Sequence, residues 1–187
     1  MPGSLLVLAV LLLEGVVFPA AQQPASRFSH ARCLDPFAQQ LLDEGIVRSP
    51  TMRRLLETLE RSDVVAYLSV VRFEETPHAM ANTKFLVAAG GSRYLVISVA
   101  ARNTRDAQIA LMGHELEHAT EIAAASRVRD SRDMAGLYER IGRRHISTRE
   151  YETYAAGDTG VIVAWELAQN RPVAHLGADK ARAPSHN

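Results

Sequence analysis

Between Arg105 and Ser126 the chain is rich in alanine and free of proline, and near its middle four ionisable residues fall within five positions: His114, Glu115, Glu117 and His118. Ala110, Leu111, Met112 and Gly113 precede them, and Ala119, Ile122 and Ala123 follow. Small and apolar flanks of this length predict a buried helix, with Asn103 or Thr104 as N-cap and Asp106 favourably placed in the first turn. Unpaired charges inside such a helix would be costly. The fold must therefore bring this helix to its centre and give those four side chains partners.

The remaining pattern predicts an α+β chain. Asp35 to Val47 carries Phe37, Leu41, Leu42 and Ile46 near helical spacing. Ser49-Pro50 marks a second helix start, followed by Met52, Leu55, Leu56 and Leu59. Val64 to Phe73, Lys84 to Ala89 and Arg93 to Ala100 are rich in β-branched and aromatic residues and predict strands. Gly90-Gly91 joins the last two as a hairpin, since both glycines tolerate positive φ. Asp130 to Ile141 predicts a short helix, and Thr148 to Gln169 a long one with Trp165, Val161 and Leu167 packed in the core. The expected architecture is a small antiparallel sheet followed by a central helix and a later helix bearing Glu152.

Leu5 to Leu13 is an unbroken apolar run, followed by Pro19, Ala20 and Ala21. It resembles a secretory signal over residues 1–21, and it is too short to span a bilayer. The expectation is an exported, periplasmic or secreted chain with no stable membrane span after cleavage. Residues 22–34 then read as a linker, 35–170 as one domain, and 171–187 as a disordered tail. Lys plus Arg and Asp plus Glu are 21 each, which argues against a nucleic-acid partner. Cys33 is the single cysteine, so metal chemistry would fall to histidine and carboxylate side chains.

His114-Glu115-Leu116-Glu117-His118 is an H-E-x-x-H pattern. On a helix, residues four apart point the same way, so both imidazoles can reach one ion. Zn2+ accepts neutral imidazole nitrogens and, at catalytic sites, keeps a position for water. Glu115 beside the pair can take that water's proton. Three residues qualify as third ligand: Glu152, Glu121 and His145. Glu152 is preferred, because Glu121 follows on the same helix and is better suited to orienting an imidazole. Tyr151, Tyr154 and His145 are candidate donors to a developing oxyanion.

GHELEHATEIA followed by YETYAAG resembles the gluzincin metallopeptidases and a group of small bacterial proteins with that arrangement; the likeness covers residues 93–169. The resemblance implies His114, His118 and Glu152 as zinc ligands, Glu115 as general base, and a peptide or protein substrate. It also implies that Arg93 to Ala100 is the edge strand along which a peptide lies. Many gluzincins carry an Asp four residues after the ligand Glu; here that position is Ala156. Three functional readings follow. One is a zinc-dependent hydrolase, another an inactive zinc-binding module on a peptidase scaffold, and the third a helical protein with a fortuitous motif.

Overall fold

The Gly90-Gly91 turn, with φ of 58° and 84°, organises the sheet. The computed structural model describes residues 28–73, 79–144 and 151–171. It folds β3 (Ala81–Ala89) back on β4 (Ser92–Ala100) across that turn, with a bulge between Phe85 and Val87. β2 (Val64–Val71) pairs with the other side of β4, in parallel, and β1 (Ala31–Cys33) pairs in parallel with β2. The order is β1-β2-β4-β3. The α+β class expected from the sequence is what the structure shows, but the sheet is mixed, not purely antiparallel. Only the β3–β4 hairpin has a local signal; the parallel pairs are made by crossovers between distant segments.

Helices cover one face. α1 (Pro36–Arg48) and α2 (Pro50–Glu60) each start with proline behind a capping side chain, Asp35 accepting from the Ala38 N–H and Ser49 from the Met52 N–H. Leu41, Leu42, Leu55, Leu56 and Leu59 carry them into the core, where Leu95, Ile97 and Val99 of β4 meet them from alternate positions. α3 (Arg105–Ala124), capped by Thr104, lies between this layer and α5 (Tyr154–Gln169), capped by Thr153. The approach is close. A Cβ on Gly113 would fall 2.9 Å from Val163 of α5 and 3.1 Å from the Met52 sulfur. α4 (Ser131–Ile141) and a two-strand ladder of β5 (Arg143–Arg144) and β6 (Tyr151–Glu152) close the far end.

Three buried polar clusters fasten these layers. Arg93, fully buried on β4, donates to both Asp63 oxygens and to the carbonyls of Ile122, Ala123 and Ala125 at the end of α3. Glu166 of α5 accepts from Ser49 Oγ and from the N–H and hydroxyl of Thr51, finishing the N-terminus of α2. Arg48 bonds Glu44, Asp106 and the Leu167 carbonyl, while Asn170 donates to the Arg48 carbonyl. Carbonyls and N–H groups at helix ends have no partner within the helix, so these side chains supply what the backbone lacks.

Two expectations change. The long helix begins at Tyr154, not Thr148, because Thr153 takes the cap; Glu152 therefore lies in β6, just outside the helix. Trp165 and Val161 face outward. Glu166 and the close contact of Gly160 with His114 fix the rotation of α5, and that turns Trp165 away from the core. Leu167 is buried as expected. Residues 1–27, His145 and residues 172–187, which include the leader, most of the linker and the tail, lie outside the described residues.

Candidate metal centre

Two elements converge on one point. From α3, His114 and His118 project one above the other, their rings 5.0 Å apart and nearly perpendicular. From β6 comes Glu152, with Oε2 at 3.4 Å from His114 Nε2 and Oε1 at 3.9 Å from His118 Nε2. One donor atom from each of the three lies within 4.8 Å of the others. Two imidazoles and a carboxylate at this spacing could together hold a divalent metal ion. The chain segments that bring these groups together are tied by α3–α5 packing and by the cap at Thr153.

Each histidine is held from behind. His118 Nδ1 donates to Glu121 Oε2 at 2.8 Å, and Thr153 Oγ1 donates to the other Glu121 oxygen at 2.6 Å. Thr153 also caps α5 and directly follows Glu152, so one threonine joins the His118 support to the segment that carries the Glu152 carboxylate. His114 backs closely onto Gly160 of α5. That arrangement leaves Nε2 of both rings facing Glu152. Glu121 thus supports the His118 imidazole from α3 itself.

Electrostatics agree with the geometry. Burial, then the neighbouring charge of His118, pushes the His114 pKa down to about 4. Burial also disfavours the His118 cation, but the Glu121 hydrogen bond and the charges of Glu115, Glu121 and Glu152 outweigh it and raise its pKa. Burial raises the Glu152 pKa, partly offset by His118. A neutral His114 is a ready metal ligand at neutral pH.

Glu115 is buried on α3 and accepts from the Thr83 hydroxyl of β3 at 2.7 Å. Its Oε1 lies 4.0 Å from His114 Nε2. Glu117, on the opposite side of α3, accepts from Thr159 of α5 and Thr120. Its place within the motif is thus a packing contact. Tyr138 of α4 packs its ring edge-on to His118 and donates its hydroxyl to the His118 carbonyl at 3.1 Å.

The centre floors a cleft of about 670 Å³. One wall is the stretch Ala79 to Phe85 leading into and along β3; the other is Leu111 of α3, Met134 and Tyr138 of α4, and Tyr151. Among the described residues β3 pairs only with β4, and its first half lines this space. The buried Asn82 side-chain oxygen has no partner among the described residues.

His114, His118, Glu115 and Glu152 are therefore brought together as the motif led one to expect, with Glu121 in support. Tyr154 is not: its ring is exposed, stacked under the Arg143 guanidinium at 3.8 Å, outside the cleft lining. Tyr151 lines the cleft. Arg93 to Ala100 is not an edge strand, since β4 lies between β2 and β3; β3 holds that position. Sequence reasoning missed Thr83 and Thr153. The second had a readable signal, a threonine just ahead of an alanine-rich helical stretch; the first had none, because its partner is 32 residues away. No protein-family model matches the chain, and no curated protein and no solved structure matches it.

Proposed function

We propose that this chain is an exported zinc-dependent hydrolase of the gluzincin type, cutting peptide bonds with an activated water. The observation that carries the reading is the convergence of three donor atoms within 4.8 Å, from α3 and β6, beside the buried Glu115 carboxylate. A zinc ion held by His114, His118 and Glu152 would polarise the scissile carbonyl and make its bound water acidic enough to ionise near neutral pH.

The chain's own groups do the rest. Glu115 accepts the proton of the attacking water and returns it to the leaving amine, its carboxylate steadied by the Thr83 hydroxyl. The outer edge of β3 offers unpaired backbone groups to an extended peptide, which would lie in the cleft as an added strand. Asn82, on that strand, has a buried acceptor ready for a ligand N–H. Met134, Leu111 and Phe85 give the cleft an apolar lining suited to a large hydrophobic side chain. The apolar run Leu5 to Leu13 supports export of the chain. No described helix is long and apolar enough to cross a membrane.

The test is elemental analysis of the purified protein. It is expected to hold about one zinc per chain, lost from His118→Ala and from Glu152→Ala. Absence of zinc after reconstitution would end the enzyme reading. Zinc without cleavage of any peptide library would leave a binding module. A milder variant probes the support: Glu121→Ala is expected to weaken zinc affinity about 10–100-fold, read by competition with a chromophoric chelator. Unchanged affinity would mean that Glu121 serves only to pack α3 on Thr153.

A further inference from the structure

The outward side of α5 is nearly as apolar as its inward side. Among the described residues, Tyr154 is 66% exposed, Val161 71%, Ile162 44% and Trp165 63%, with Ala155 and Ala164 exposed between them. Tyr154, Asp158, Val161 and Trp165 follow four-three-four spacing, which aligns them as one stripe. Asp158 is the only residue charged at neutral pH among the exposed positions of the helix, and the Arg143 guanidinium lies over the Tyr154 ring at its start. A helix that is apolar all round is ordinarily covered all round. The four large side chains leave open on the order of 500 Å², within the range of the largest patch on an ordinary monomer. Two such faces would bury about 1,000 Å² in total, the lower bound for a specific interface and the size of a weak, concentration-dependent one.

We propose that α5 is the interface of a two-fold dimer, lying antiparallel against α5 of a second copy of this chain. Asp158 decides between a second copy and a lipid surface. It sits within the stripe, and insertion among acyl chains would strip its carboxylate of water with nothing to replace it. An antiparallel pair centred between Val161 and Ile162 answers that need. Asp158 and Trp165 lie equally far on either side of this centre, so each carboxylate comes opposite the other copy's indole N–H. The contact forms twice by symmetry. The two Asp158 residues end about 10 Å apart along the axis, seven residues of helical rise, so the like charges do not meet. Val161 and Ile162 then pack against each other at the centre, and the small Ala155 and Ala164 let the helices approach.

Trp165 is the chain's only tryptophan, so its fluorescence reports on this face alone. The full chain, expressed with its own leader and purified as the cells process it, is diluted from near-millimolar to nanomolar concentration. Mass is followed by sedimentation and emission by fluorimetry. The dimer predicts a mass of two chains with blue-shifted emission, both reverting on dilution at one midpoint. Val161→Glu keeps the reporter and changes an exposed residue, so it should retain the far-UV circular dichroism while staying monomeric and red-emitting; Trp165→Glu should also be monomeric. Three results would overturn the proposal. One is a monomer at every concentration with exposed-indole emission. Another is a monomer whose emission is blue at every concentration, which would mean that another part of the same chain covers the face. The last is a monomer that shifts only with mixed neutral and anionic lipid vesicles, assigning the face to lipid.

Discussion

Glu115→Gln is expected to lower peptide hydrolysis about 100- to 10,000-fold while leaving zinc content unchanged. The side chain is buried and receives the Thr83 hydroxyl at 2.7 Å. Glutamine matches glutamate in shape and can still accept that hydrogen bond, so the fold and the metal donors should be undisturbed. What it lacks is a basic oxygen to take a proton from water. The loss should therefore appear in kcat, measured with a quenched peptide carrying a large hydrophobic residue beside the scissile bond, in zinc-saturating buffer. Thr83→Val should produce a smaller fall, since it releases the carboxylate without removing it. A Glu115→Gln enzyme with undiminished kcat would move the proton transfer to another group and remove the central argument for a peptidase mechanism.

Arg93→Met should lower the stability of the folded chain by about 3–5 kcal/mol. The cause is not the loss of one salt bridge. Arg93 is fully buried and bonds both oxygens of Asp63 and three carbonyls at the end of α3. Its guanidinium holds the Asp63 carboxyl below the usual range, chiefly through their hydrogen bond. Methionine fills much of the same space but donates nothing, which leaves a carboxylate and helix-terminal carbonyls without their donor. Urea denaturation followed by circular dichroism gives the difference directly. Arg129, exposed and 3.7 Å from the same Asp63, is the matched comparison; Arg129→Ala should cost less than about 1 kcal/mol. Equal effects from the two variants would show that charge near Asp63, not the buried fork of Arg93, is what matters.

Local signals in the sequence were read well and distant ones were not. The central helix, the Gly90-Gly91 turn and the Ser49-Pro50 start are each set by residues within a few positions, and each lies where the pattern predicts. The His114–His118 spacing belongs to the same kind, because helical geometry alone aligns the two rings. Glu152 was chosen for its chemistry and does reach the two histidines, yet from a short strand and not from a helix. Helical propensity runs smoothly across Thr148 to Ala156, and only the capping role of Thr153 breaks it. The parallel pairing of β1, β2 and β4 and the outward aspect of Trp165 both depend on segments far apart in the chain. Nothing within a window of local residues distinguishes an apolar side chain turned inward by Glu166 and Gly160 from one turned outward by them.

The cap that Glu166 places on α2 has a consequence for when the chain can fold. Thr51 and Ser49 lie near the start of the described domain, and their carboxylate partner is made more than a hundred residues later. Glu152 likewise arrives 34 residues after His118. A nascent chain therefore cannot close the polar cluster that joins α2 to α5 until Glu166, near the end of α5, has been synthesised. Until then the apolar faces of the earlier helices lack their cover from α5, the kind of transiently exposed surface that chaperones bind. The tie between α2 and α5 is therefore among the last contacts of the described fold to close.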